Sequence, residues 1–218
     1  KRNCCPKDMK QPPPYWSKAK SYLSKKDKVI KSLIKKYNSG YLISRNDVFF
    51  SLCKSIIGQQ ISVAAANSVY NKFNLACKNR ITPKQVNLLK PSKLKKCGLS
   101  RQKVRGIKDL AKKYLDKSFN PNLVKKLNDE EAIQYLSELR QIGRWSAEMI
   151  LLFTYNRPNI WPIQDIGLLR AISNNYKKSY PPPKTFVNKL YKNLSPYCSV
   201  ATWYLWRSID NDPQAIQY

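Results

Sequence analysis

The chain has no histidine among its 218 residues. That absence removes Ser-His-Asp and Cys-His nucleophile pairs, His-ligated metal sites and the HExxH zinc motif, so acid–base work falls to Asp, Glu, Lys, Tyr or Cys. Acids are scarce too, with 13 Asp and Glu against 41 Lys and Arg. The six cysteines, Cys4, Cys5, Cys53, Cys77, Cys97 and Cys198, form no CxxC. They fit neither a zinc site nor an iron–sulfur cluster and read as buried or incidental thiols in a reducing compartment. No apolar run approaches the roughly 18 residues of a membrane span, the longest being Met149 to Phe153. The N-terminal KRNCCPKDMKQPPPYW is basic but lacks the apolar core of a secretory signal. The expectation is therefore a soluble, intracellular protein, cytoplasmic or nucleoid-associated in a bacterium.

What is present is the apolar content of a globular chain: 42% hydrophobic residues, with 14 Tyr, 6 Phe and 5 Trp. A chain of this length buries roughly 70% of its unfolded surface, so it needs no disulfide or metal staple. The net charge of +28 has two readings. A strongly basic chain attracts polyanions, of which nucleic acid is the commonest. Alternatively, abundant Lys, Asn, Ile and Tyr reflect an AT-rich gene, and many lysines only decorate solvated faces.

Residues 1–14 read as an extended arm, because Pro12-Pro13-Pro14 forbids helix. From Tyr15 onward apolar positions recur at helical spacing. Asn46 caps a helix carrying Val48, Phe49, Leu52 and Ile56 that stops at Gly58, and another begins near Ser62. Thr82-Pro83 and Asn128-Asp129-Glu130-Glu131 are further helix starts. There is no sustained alternation, no Asn-Gly hairpin and no internal repeat, so the expected class is all-α.

Two segments carry chemistry. In LSELRQIGRWSAEMILLF, residues 136–153, one helix ends near Leu139, a short connection holds Gly143, and a second helix starts near Trp145. The amide N–H groups of residues 143–147 at such a turn can hold a phosphate, a contact that positions DNA without reading its sequence. The same spacing also serves an ordinary αα-hairpin. In NRPNIWPIQDIGLLRAI, residues 156–172, Asp165 is the only acid between Glu148 and Asp210 and sits among apolar neighbours. It reads either as a desolvated, functional carboxylate or as a helix N-cap before IGLLRAI.

Taken together, SIIGQQISVAAA (55–66), GLSRQKVRGIKDLA (98–111), IGRWSAEMILLF (142–153), RPNIWPIQDIGLLRAI (157–172) and YCSVATWYLW (197–206) resemble the helix-hairpin-helix DNA glycosylases. The similarity is to their alkylated-base branch, DNA-3-methyladenine glycosylase II, and runs from about Pro13 to Asp210. It implies a two-lobed helical domain over residues 15–218 with the active-site cleft between the lobes. The N-terminal β-rich domain of longer relatives has no counterpart in residues 1–14. The implied activity is monofunctional hydrolysis of alkylated purines, 3-methyladenine and 7-methylguanine, from double-stranded DNA by base flipping.

The resemblance also assigns residues. The family's acid falls on Asp165, which would stabilise the positive sugar and orient or deprotonate the attacking water. Alkylation makes the base a cationic leaving group, so a second carboxyl is dispensable. Bifunctional relatives carry a Schiff-base lysine where this chain has Trp145, and an indole forms no imine. Trp145, Met149 and Trp206 would line the base pocket, although Trp145 also reads as a core residue, as do Trp203 and Tyr204. Flipping leaves a hole that something must fill, and the wedge falls on Gln60, with Gln59 beside it, unless a glutamine caps the next helix instead. Gly143, Arg144, Ser146 and Ala147 would meet the DNA backbone, with Arg140 adding charge. Relatives show glycine where this chain has Gln141; if that position needs a positive φ, glutamine there costs roughly 1 kcal/mol or more.

No organic cofactor and no metal among side chains are implied, while a monovalent cation at the hairpin is compatible with the family. The implied partner is duplex DNA containing damaged bases, met by a monomer with no membrane contact. Two other readings share the composition: the same fold acting on other damaged or mismatched bases, and a non-catalytic DNA-binding protein, against which an acid facing DNA argues. A ribosomal or RNA-binding module rests on charge alone.

Overall fold

The computed structural model describes residues 11–210, which form twelve α-helices, one short 3-10 helix and no β-strand. Most of the proposed N-terminal arm, with Cys4 and Cys5, lies outside the described residues. The chain divides into two compact units, residues 45–150 and residues 11–44 together with 151–210.

Helices α1 (Trp16–Lys26) and α2 (Lys28–Lys36) open the second of these units. The break between them is set by Asp27, whose extended backbone ends α1 and whose carboxylate caps α2 through Ile30 N.

The other unit contains α3 (Val48–Gly58), α4 (Val63–Ala76), α5 (Pro83–Leu88), α6 (Pro91–Lys96), α7 (Arg101–Leu115), α8 (Asp129–Ser137) and most of α9 (Arg144–Phe153). Its helix starts are locally encoded. Ser62, Thr82 and Ser100 each accept from the amide three residues on, and Asn128 and Glu131 form a reciprocal capping box. The start of α3 differs from expectation by one residue. Asp47, not Asn46, is extended there and takes the Phe50 amide at 2.9 Å, and a carboxylate also suits the positive end of the helix. Phe49, Leu52, Ile56, Phe73, Val86, Leu94, Ile107, Leu110 and Leu136 form this unit's core.

Helices α10 (Ile166–Tyr176), α11 (Lys184–Leu194) and α12 (Cys198–Ile209) complete the second unit. Helix α12 is its axis, with nine consecutive residues, Cys198 to Trp206, buried on every side. A helix apolar all round belongs at the centre of a bundle. Trp16 from α1 meets Trp203 edge-on at 5.4 Å and stacks on Tyr204 at 6.0 Å. Trp203 and Tyr204 are thus core residues. No described helix is long and apolar enough to cross a membrane.

Candidate active site

Asp165 stands at the N-cap of α10 and is 7% exposed. The segment leading to it is pinned to α12 by one serine. Ser199 donates its hydroxyl to Arg157 O at 2.5 Å and its amide to Pro158 O at 3.0 Å, and accepts from Ile160 N at 2.9 Å. A turn in which Asp165 N donates to Pro162 O then sets the carboxylate above the start of α10.

Two donors converge on one carboxylate oxygen. Asp165 Oδ1 accepts from the Leu168 amide at 2.6 Å and from the Trp206 indole Nε1 at 2.9 Å. Asp165 caps α10, and it is a buried carboxylate held by a second, long-range donor. Such bonds fix its orientation. Trp206 is 4% exposed and stacks on Phe153 with centroids 6.0 Å apart and ring planes 9° from parallel. Its indole N–H is committed to the carboxylate. Gly167, the second residue of α10, makes room for this contact: a Cβ there would stand 3.0 Å from Asp165 Oδ1 and 3.5 Å from Trp206 Cδ1 and Nε1.

The other named residues lie in the unit of residues 45–150. Trp145 is half-buried, and Met149, one turn later on α9, is 4% exposed, so the two share a helix face. In the hairpin, Gly143 is exposed, whereas Ser146 and Ala147 are buried. Ala147 donates its amide to Gly143 O and closes the first turn of α9. That amide is spent, and the first-turn amides without an intrahelical acceptor are those before it. The Arg144 guanidinium is also engaged, donating to both Glu130 oxygens at 2.6 and 2.8 Å and, through Nε, to buried Glu148 at 3.2 Å. This contact holds the Glu130 carboxyl below its ordinary range, the hydrogen bond from Arg144 being the largest cause.

Gln141 has φ +69°, so the left-handed backbone raised as a condition for this position is present. Its side chain lies across α7, where Gln141 Nε2 donates to Gln102 Oε1 at 3.3 Å. Gly106 accommodates it: a Cβ at Gly106 would approach Gln141 Cγ to 2.8 Å. On the loop after α3, Gln60 is exposed at φ +57°, while Gln59 turns inward and donates to Gln141 O at 2.6 Å and Ser146 Oγ at 3.3 Å.

Sequence reasoning missed Ser199, Gly167, Gly106, Lys103 and the Arg144 ion pairs. Two kinds of signal were there: Gly106 within α7 and Gly167 within the first turn of α10 occupy helical positions where glycine is intrinsically unfavourable, and Arg144 and Glu148 stand four apart on α9. Among the described residues no group of three or more Cys, Asp or Glu is placed to hold a metal ion. A shallow basic concavity of about 420 Å³ is lined by Asn87, Arg105, Lys108, Asp109, Lys112 and Arg140.

Residues 53–196, from within α3 to just beyond α11, match the family described as HhH-GPD superfamily base excision DNA repair protein. The chain belongs to this family. As an HhH-GPD protein it is 31% identical over 198 residues to the alkylbase DNA glycosidase-like protein mag2 of Schizosaccharomyces pombe, covering 88% of this chain and 93% of that one. It is 27% identical to DNA-3-methyladenine glycosylase 1 of the same yeast, over 88% of this chain and 87% of the relative. Among solved structures, the S. pombe 3-methyladenine DNA glycosylase Mag1 in complex with abasic DNA superposes with TM-score 0.76 at 27% identity, covering 88% of this chain and 96% of the other. A Bacillus halodurans DNA-3-methyladenine glycosidase shares the fold, with TM-score 0.77 at 22% identity over 94% and 92% of the two chains.

Proposed function

We propose that this HhH-GPD protein is a monofunctional DNA glycosylase that removes alkylated purines, 3-methyladenine and 7-methylguanine, from double-stranded DNA after flipping them out of the stack. The observation that carries the reading is Asp165, a buried carboxylate whose Oδ1 is held by Leu168 N and Trp206 Nε1. A carboxylate fixed by two donors keeps its direction while positive charge grows opposite it. The relatives named for alkylbase and 3-methyladenine removal, and the DNA in the Mag1 structure, support the substrate class.

In this mechanism the bond between C1′ and the purine nitrogen breaks, and its electron pair neutralises the cationic base. The sugar acquires oxocarbenium character, which Asp165 stabilises. Water bonds to C1′ and passes its proton to Asp165 or to solvent, and an abasic site remains. The departing base carries its own activation, so the step needs no further acid and no cofactor. Trp145 offers no amine for an imine, which supports hydrolysis without strand cleavage. Trp145 and Met149 are our candidates for the pocket wall and Gln60 for the wedge. The main-chain amides of the hairpin around Gly143 and Arg144 are our candidates for the phosphate contact.

The test is release of 3-methyladenine and 7-methylguanine from methylated duplex DNA by the wild type and by Asp165→Asn, with DNA affinity measured for both. The expected result is release by the wild type and a loss of about a hundredfold or more in the variant at equal affinity. Absence of release by a wild type that binds duplex DNA would overturn the assignment to these lesions.

A further inference from the structure

The loop that follows α3 is fastened at its base from two sides within one unit. Lys103, the third residue of α7, donates its ammonium to Ile57 O at 2.8 Å and to Gln59 O at 2.7 Å. These are terminal carbonyls of α3 with no intrahelical partner, and a cation there also answers the negative end of the helix dipole. Burial lowers the Lys103 pKa. From the other side, the Gln59 amide reaches Gln141 O at 2.6 Å and Ser146 Oγ at 3.3 Å, joining the loop to the hairpin and the first turn of α9.

Beyond this double attachment the chain turns outward. Gln60 is exposed at φ +57°, and Ile61 is 39% exposed. A non-glycine residue in the left-handed region costs roughly 1–2 kcal/mol, and this region contains two, Gln60 and Gln141, one at each end of the Gln59 link. Such backbone persists only where its surroundings over-determine it. The four hydrogen bonds from Lys103 and Gln59 supply that constraint.

We infer that Lys103 and Gln59 are positioning residues that hold the Gln60 loop and the hairpin as one preformed DNA-facing piece. When the hairpin seats on a phosphate, Gln60 is then already set to enter the stack. Gln59, on this inference, does not itself fill the gap. Ordering a loop on binding costs about 0.5–1.5 kcal/mol for each immobilised side chain, and a loop already tied at both ends avoids it. The inference rests on the reading of Gln60 as the wedge, and the experiment separates the two.

A duplex carrying 2-aminopurine as the target base reports extrusion by fluorescence and needs no base release. On it we would compare wild type, Lys103→Met, Lys103→Arg, Gln59→Ala and Gln60→Ala, with single-turnover release from methylated DNA alongside. Lys103→Met and Gln59→Ala are each expected to lower extrusion and the single-turnover rate by about tenfold, as for the loss of one or two hydrogen bonds. The enzyme concentration giving half-maximal rate should move far less. Lys103→Arg, whose guanidinium can still bridge two carbonyls, should recover most of the rate, while Gln59→Ala excludes a pure charge effect.

Wild-type extrusion by both Lys103→Met and Gln59→Ala overturns the inference. So does a loss confined to thermal stability, or a Lys103→Arg variant as impaired as Lys103→Met. Wild-type extrusion by Gln60→Ala removes the wedge reading instead. Extrusion without release of methylated bases removes the proposed substrate and leaves the positioning role measured.

Discussion

The indole Nε1 of Trp206 donates to Asp165 Oδ1 at 2.9 Å, across 41 residues of sequence. An aromatic side chain expected to face the base is thereby also the group that sets the direction of the carboxylate. Phe153 stacked on its ring leaves the indole little freedom to turn away.

Trp206→Phe removes this donor and keeps an aromatic ring against Phe153. Base release at saturating enzyme should fall by about tenfold, in line with one lost hydrogen bond to a charged group. DNA affinity should stay within about twofold, since the charge facing DNA is unchanged. Single-turnover assays with a parallel binding isotherm check both, and an undiminished rate would remove Trp206 from the positioning of Asp165.

Gly167→Ala should separate activity from stability. Alanine in a helix is worth up to about 1 kcal/mol over glycine, but its Cβ would stand 3.0 Å from Asp165 Oδ1. The carboxylate or the indole must shift by a few tenths of an ångström. We expect a several-fold loss of base release with a thermal midpoint close to wild type. A fully active variant would show that the carboxylate tolerates the shift.

Gln141 and Gly106 should be energetically coupled. Gly106→Ala brings a Cβ to 2.8 Å from Gln141 Cγ and 3.2 Å from Gln141 Cβ. Alone it should cost about 1–3 kcal/mol, the usual range for overpacking. In a Gln141→Gly background both contacts vanish, and only Arg140 O at 3.3 Å remains close. The cost there should fall by half or more. A double-mutant cycle from denaturant unfolding measures the coupling, and additive effects would contradict the packing described.

The Arg144, Glu130 and Glu148 contacts predict a pH-dependent stability. Arg144 holds the folded-state Glu130 carboxyl below its ordinary value. A lowered folded-state pKa contributes stability that is complete above the unfolded-state value and disappears as pH falls through the folded-state value. Arg144→Met should therefore destabilise at pH 7, by about 2 kcal/mol, largely through Glu148, which is buried and loses its guanidinium partner. The Glu130 part of the difference should shrink as pH falls through the lowered Glu130 value, where that carboxylate protonates in the wild type too. Thermal unfolding of both proteins across this range decides it.

Much of the site's frame was legible in the chain because it is local. Caps at Ser62, Thr82, Asn128 and Asp165 each act on an amide three residues away, within reach of a sequence pattern. The positive φ at position 141 was reached only as a condition, through the resemblance to relatives with glycine there, and the backbone adopts it. The Asp47 cap was displaced by one because Asn46 and Asp47 are both good capping residues. Which of two adjacent candidates caps is decided by the backbone entering the helix.

The sequence by itself determined that this chain is helical and basic, that its chemistry proceeds without histidine, and that one acid stands alone before IGLLRAI. These follow from residue types and from periods of three or four positions. Tertiary structure alone decided that Trp206 turns its N–H to Asp165, that Gln59 faces the hairpin, that Lys103 closes the end of α3, and that Arg144 reaches Glu130 on α8. The links from Trp206, Gln59 and Lys103 join residues 41 to 87 positions apart. The Arg144–Glu130 pair is closer in sequence, at 14 positions, but joins two helices. In each case a donor's direction depends on how its helix is rotated against a neighbour, and that rotation is set by the packing of a whole core.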